Sequence, residues 1–282
     1  MVRGFSVLDF QKAKNSSQKI TMLTAYDKIT ARIAEDSGVD AILVGDSLGM
    51  SVLGYDDTLS VTMEDMVRHS RAVSSSTKRA MIISDLPFMS YQISPEDALR
   101  NAGRLVVEGG CNAVKLEGGA EFSPQIKKIL QAGIPVMGHL GFTPQSVNKF
   151  GGNFSQGKTA ESALEIMENA YKLEDLGVFA IVLECVPHEL AEAITQNLKI
   201  PTIGIGSGAE CDGQVQVIYD VLGMNDGFSA KHFSRYIEGQ KILTDALKTH
   251  IEDVKELKFP TAAHSFAVST EIVNLVKRES RK

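Results

Sequence analysis

Ala41-Ile42-Leu43-Val44-Gly45-Asp46-Ser47 is four apolar residues closed by a glycine, an acid and a hydroxyl. A short run without polar alternation is the pattern of a parallel strand covered on both faces. The acid that follows puts a polar group at the strand's carboxyl end. The same unit recurs, with apolar runs at residues 20–24, 80–84, 113–116, 135–139, 180–183, 201–205 and 214–218. Amphipathic stretches separate them, at about 28–37, 63–76, 95–108, 124–132, 159–176, 187–197 and 231–256. Thr62 with Asp65 reads as a helix N-cap, and Ser94-Pro95-Glu96-Asp97 joins a cap to a proline at the first helical position. Strands alternating with helices predict a parallel sheet, and eight strands close a (βα)8 TIM barrel. A helix near 6–14 would close the barrel bottom. One irregularity keeps a doubly wound sheet of seven units open. Only residues 206–213 separate the last two runs, too few for a crossover helix.

The 282 residues suit one barrel of ~250 residues and an extension. No linker or low-complexity stretch divides the chain, so it reads as one domain, 1–282, with residues 257–282 a weakly patterned C-terminal extension. Hydrophobic residues at 43% and charged residues at 23% are ordinary for a chain with a full core. The net charge is −6 and no basic run precedes Lys277, Arg278, Arg281 and Lys282, which argues against nucleic acid as a partner. No run approaches the ~20 apolar residues of a membrane span, and residues 1–19 lack the apolar core of a secretory signal. Cys111, Cys185 and Cys211 form no C-x-x-C pair and suit a reducing compartment, so the expected location is cytoplasmic.

Polar residues collect at the strand ends, the face where barrel enzymes keep their sites. Asp46 and Ser47 follow the second run, Asp85 the third, and Lys115 ends the fourth with Glu117 two residues on, facing the same side. His139 ends the fifth run and Glu184 the sixth. Each Asp alone reads equally as a cap or turn former. Asp46, Asp85 and Glu117 together, at one rim, would repel unless a cation sat between them, and a set of oxygen donors suggests Mg2+. Such an ion could chelate a 2-oxo acid and stabilise its enolate, with Glu184 across the barrel as the base. Lys115 could pair with the substrate carboxylate, form a Schiff base, or serve in a structural ion pair.

Three other motifs compete for attention. Residues 152–159 match G-x-x-x-x-G-K-[ST], but a phosphate-binding loop comes straight off a strand and this one does not. His188-Glu189-Leu190-Ala191-Glu192 lacks the second histidine of a zinc protease. Gly204-Ile205-Gly206-Ser207-Gly208 reads equally as a phosphate cradle and as a tight turn.

Longer matches run through the chain in order. They include Met22-Leu23-Thr24-Ala25-Tyr26-Asp27, Val44-Gly45-Asp46-Ser47-Leu48-Gly49, Asp85-Leu86-Pro87-Phe88 and Val114-Lys115-Leu116-Glu117-Gly118-Gly119. Gly138-His139-Leu140-Gly141, Thr143-Pro144-Gln145-Ser146, Val182-Leu183-Glu184-Cys185-Val186-Pro187 and Cys211-Asp212-Gly213-Gln214-Val215 follow. On these, the sequence resembles the ketopantoate hydroxymethyltransferase family over roughly residues 5–266. The resemblance implies hydroxymethyl transfer from 5,10-methylenetetrahydrofolate to 3-methyl-2-oxobutanoate, giving 2-dehydropantoate for pantothenate synthesis. It implies Mg2+ at Asp46 and Asp85, with Glu117 completing the site directly or through water. It implies substrate contacts from Asp46, Ser47, Asp85 and Lys115, and Glu184 as proton acceptor. It also implies a homo-oligomer, typically a homodecamer of two pentameric rings. The chain departs from the family where Met89 replaces a glycine, Ser74-Ser75-Ser76 an Arg-Gly segment, and Ser207 an alanine. Two alternatives share the acids: a metal-dependent barrel lyase or mutase acting on a 2-oxo acid, and a non-catalytic metal-binding barrel.

Overall fold

The apolar runs become eight parallel strands in a computed structural model that describes residues 4–152, 155–225 and 233–280. The strands are β1 (Ile20–Thr24), β2 (Ala41–Val44), β3 (Met81–Asp85), β4 (Ala113–Lys115), β5 (Val136–Gly141), β6 (Ala180–Glu184), β7 (Thr202–Ile205) and β8 (Gly213–Gln216). They pair in sequential order and close into a barrel, which removes the doubly wound alternative. Helix α1 (Val7–Asn15) comes first. Helices α2 (Lys28–Ser37), α3 (Met63–Ser74), α4 (Pro95–Val107) and α5 (Ser123–Gln131) follow the first four strands. Helices α6 (Val147–Phe150) and α7 (Ala160–Leu176) follow β5, α8 (His188–Asn197) follows β6, and α9 (Ile218–Val221) follows β8. The capping signals act as expected: Thr62 Oγ1 accepts from the Asp65 N–H, and Ser94 Oγ from the Asp97 N–H.

The short link between β7 and β8 carries no helix. Gly206 and Gly208, at φ 69° and 86°, turn the chain back. A Cβ on Gly208 would stand 2.5 Å from His188 Cβ, so only glycine fits there. Asp212 then ties the link to the start of β7, accepting the Thr202 N–H at 2.9 Å and the Lys14 ammonium at 2.8 Å. The glycine-rich stretch is therefore a tight turn.

Side chains two apart share a face of each strand. Met22, Leu43, Ile83, Met137, Val182, Ile203 and Val215 fill the barrel interior. Phe10 of α1 joins this cluster, fully buried, with its ring 5.1 Å from that of Phe179, so α1 plugs the barrel bottom as expected. The opposite parity, including Ile42, Ile82, Val114, Ile181 and Leu183, packs in one cluster with Ala31, Met66, Leu105, Ile129, Leu173 and Ile194 of the helices. Each buried side chain of this size contributes ~1.5–3 kcal/mol. The inward parity of β3, β4, β5 and β6, continued to the strand ends, delivers Asp85, Lys115, His139 and Glu184 to one rim.

The chain divides into two compact units, Met1–Arg235 and Tyr236–Lys282. The sequence pattern fades at 257, but the boundary between units comes earlier, at Arg235. The second unit holds α10 (Gly239–Lys255) and α11 (Thr270–Glu279). The helix expected over 231–256 starts at Gly239, and residues 231–232 lie outside the described ones. Its side chains are largely exposed, Ile242, Leu247 and Ile251 included. Among the described residues no helix is long and apolar enough to cross a membrane.

Candidate active site

Asp46 follows β2 with Gly45 between it and the strand. A Cβ at position 45 would stand 2.9 Å from Ser47 Oγ and 3.5 Å from Asp85 Oδ2. The missing side chain lets the Asp46 N–H donate to Asp85 Oδ2 at 3.1 Å, which locks the two acidic strand ends together. Asp85 is the last residue of β3 rather than the one after it. Its Oδ1 lies 2.9 Å from Lys115 Nζ, an ion pair without hydrogen-bond alignment. Lys115 therefore pairs with Asp85 in this arrangement, not with its neighbour Glu117.

Glu117 is engaged elsewhere. Its Oε2 accepts the Gln145 N–H at 2.9 Å, and its Oε1 lies 3.5 Å from His139 Nδ1. His139 stands at the centre of the rim, with Nδ1 3.3 Å from Lys115 Nζ and Nε2 3.3 Å from Glu184 Oε2. Asp46, Asp85, Lys115, Glu117 and His139 are all at most 4% exposed. Glu184, at 18%, is the carboxylate of the group that reaches toward solvent. Ser47 Oγ is held at 2.9 Å by the Tyr26 hydroxyl, whose pKa burial pushes up to about 12. The sequence-expected residues thus converge, and His139 links Glu117 to Glu184.

The charges are strongly perturbed. Burial pushes the Asp46 carboxyl well above its usual range, and the charges of Asp85 and Glu117 push it further. Burial also raises Asp85, with Lys115 pulling the other way. Glu117 is lowered, because His139, Lys115 and the Gln145 amide outweigh the burial cost. Lys115 opposes burial through Asp85, Glu117 and Asp46 and is held charged, which argues against a Schiff-base role. His139 resists both burial and Lys115 and rises to about 9 on the strength of Glu117 and Glu184.

Four carboxylates face two cations here, which leaves a charge deficit of about one divalent cation when all are ionised. Asp85 Oδ1 is a buried oxygen with no aligned hydrogen bond. Oxygen donors from two adjacent acids suit Mg2+, which keeps most of its positions for water or substrate. Among the described residues no three Asp, Glu, His or Cys side chains form a closed ligand set. The oxygens of Asp46, Asp85 and Glu117 suit an ion of this kind.

Two residues of the rim carried no individual role in the sequence reading. Gln145, 5% exposed, donates from Nε2 to Asp46 Oδ2 and to the Leu86 carbonyl, both at 2.9 Å. Tyr91, 1% exposed, has its hydroxyl 2.9 Å from Gln145 Oε1 and 3.0 Å from the Glu117 carbonyl. Gln145 lay within a quoted motif, but its partners are set by the fold. Met89, standing where a glycine was expected, has φ 64°, the left-handed region that favours glycine. Ser207 bridges β6 and β7, its Oγ donating to the Leu183 carbonyl at 2.8 Å and accepting from the Val186 N–H at 3.1 Å. The P-loop-like stretch is partly outside the described residues, at 153 and 154, and its Thr159 serves as the N-cap of α7.

Comparison with known proteins follows the same line. Residues 5–262 match the family model described as ketopantoate hydroxymethyltransferase. A 3-methyl-2-oxobutanoate hydroxymethyltransferase of Acetivibrio thermocellus is 54% identical over 96% of this chain and 95% of its own. One from Clostridium novyi is 54% identical over 95% of this chain and 98% of its own. Among solved structures, a phosphoenolpyruvate phosphomutase of Streptomyces platensis subsp. rosaceus superposes with a TM-score of 0.61 at 14% identity, covering 99% of this chain and 96% of that one. A phosphonopyruvate hydrolase solved with oxalate and Mg2+ gives 0.60 at 13%, covering 98% and 96%. These two share the barrel; the near-full-length identity to the transferases carries the assignment, and the chain belongs to the ketopantoate hydroxymethyltransferase family of enzymes.

Proposed function

We propose that this rim transfers a hydroxymethyl group from 5,10-methylenetetrahydrofolate to 3-methyl-2-oxobutanoate, giving 2-dehydropantoate. The observation that carries the chemistry is the contrast between one partly exposed carboxylate, Glu184, and the buried acids opposite it. Glu184 takes the C3 proton of the 2-oxo acid. His139, with Nε2 3.3 Å from Glu184 Oε2, orients that carboxylate. Ser47 and Lys115 offer a hydroxyl and an ammonium to the substrate's carboxylate. A divalent cation held by Asp46 and Asp85, with Glu117 completing the site directly or through water, would supply Lewis acidity that eases loss of the C3 proton. The enolate carbon then forms a bond to the one-carbon unit, whose two bonds to folate nitrogens break, the C3 proton and one proton of water going to those nitrogens. The net reaction consumes one water, whose oxygen becomes the product hydroxyl, and releases tetrahydrofolate.

Proton NMR of 3-methyl-2-oxobutanoate in deuterated buffer tests this reading. Loss of the C3 proton signal with enzyme and Mg2+, stopped by a chelator, and 2-dehydropantoate appearing only once methylenetetrahydrofolate is added, are the expected results. Exchange without the transfer product would favour the lyase or mutase reading. No exchange in folded, metal-loaded protein would favour the non-catalytic barrel. The expected assembly is a homodecamer, which sedimentation velocity measures directly.

A further inference from the structure

We propose that Gln145 is a positioning residue that aims the Asp46 and Glu117 carboxylates at a shared divalent cation, a role that rests on the metal reading above. The amide can face only one way. Nε2 meets two acceptors, Asp46 Oδ2 and the Leu86 carbonyl, each at 2.9 Å. Oε1 meets two donors, the Tyr91 hydroxyl at 2.9 Å and Gln92 Nε2 at 3.3 Å. A flipped amide would set oxygen against two oxygens. All hydrogen-bonding positions of the side chain are thus committed inside a buried site. The backbone adds the second half of the device. The Gln145 N–H donates to Glu117 Oε2 at 2.9 Å, so one residue on the short 3-10 turn Pro144–Ser146 restrains two acids from β2 and β4. With Asp46 Oδ2 occupied by the amide, Oδ1 is the oxygen left for a ligand. Tyr91 closes the network, because its hydroxyl also accepts the Glu117 N–H at 3.3 Å. Groups that orient metal-binding carboxylates commonly matter 10–100-fold to affinity.

The test uses Mn2+ binding by calorimetry to the full-length protein, with no substrate present. Gln145→Met keeps the length and removes both donors. Its Mn2+ dissociation constant is expected to rise about 10–100-fold, with a lowered melting temperature but a folded protein at the assay temperature. Tyr91→Phe, which leaves the Asp46 contact intact, is expected to lose about fivefold, the scale of one neutral hydrogen bond. In turnover the Gln145→Met loss should be recovered in large part by raising the metal concentration, which a global packing defect would not allow. If Gln145→Met is folded and binds Mn2+ as the parent does, the positioning role is overturned and the metal reading stands. If Gln145→Met does not fold, parent-like Mn2+ binding by Tyr91→Phe overturns the role in the same way. If the parent binds no Mn2+, or Asp46→Asn binds it equally well, both fall together.

Discussion

The two halves of the rim are built to opposite rules. At the ends of β2 to β4 the charged groups of the rim are buried and each meets a polar partner: Asp46 the Gln145 side chain, Asp85 the Lys115 ammonium, and Glu117 both His139 and the Gln145 N–H. On β6 a single acid, Glu184, stands partly exposed with one charged neighbour. A group that holds an ion gains from being fixed before the ligand arrives, whereas a base must exchange protons with the outside. The difference teaches that exposure, more than residue type, separates the acids proposed to hold the ion from the one proposed to react.

The sharpest way to break this comparison is Glu184→Gln. It should lower kcat about 10²–10⁴-fold, the usual worth of a general base. Mn2+ affinity should stay unchanged, since the buried half is untouched. Parent-like turnover in this variant would end the division of labour.

Asp85→Asn attacks the other half and should appear in stability before activity. It leaves the Lys115 ammonium buried without its ion pair, at a cost of about 3–5 kcal/mol. Urea denaturation would read this as a lower midpoint. Asp85→Asn with Lys115→Met should recover most of the loss, and failure to recover would mean that the pair is not the source.

The link between the halves can be titrated. The folded pKa of His139 is raised from 6.5 to about 9, so its contribution to stability is fully present below pH 6.5 and is lost as the pH rises through 9. With a chelator present, the denaturation midpoint should fall between those limits. His139→Gln should remove that part of the fall; an unchanged pH profile would show the imidazole to be neutral.

Ser207→Ala is the mildest change. It removes hydrogen bonds to the backbone on either side of Glu184 and should cost about 1 kcal/mol. A small fall in kcat with intact Mn2+ binding would assign that cost to the open half.

Most of the rim was legible because parallel strands buried on both faces leave short apolar runs, and their ends mark the catalytic face. Ile20–Thr24 and Ala41–Val44 form strands with the bounds read from the sequence. Asp85 lies one residue deeper, inside β3, because backbone pairing with Lys115 continues past the apolar run. Gln145 could not be given a role, since its partners Asp46 and Tyr91 are 99 and 54 residues away along the chain. The β7–β8 link misled for a different reason. A crossover normally needs a helix to cover the sheet, and here the turn is held by Asp212 instead. The start of the second unit was equally hidden, because α10 has an ordinary amphipathic pattern and only its contacts assign it to residues beyond Arg235.

That helix-free link has a consequence in time. β8 grips β1 over four residue pairs and β7 over only two. The seam of the barrel is therefore a pairing between the first strand made and one made about 190 residues later. At ~5–20 residues per second, a ribosome takes roughly 10–40 s to deliver the partner. Throughout that interval β1 presents an open edge, and closing the ring must overcome the entropy of a very long loop. Asp46, Asp85, Glu117 and Glu184 have all emerged by then. The acids of the mouth are synthesised before the ring that aligns them exists, and the last strand is the one that turns them into a site.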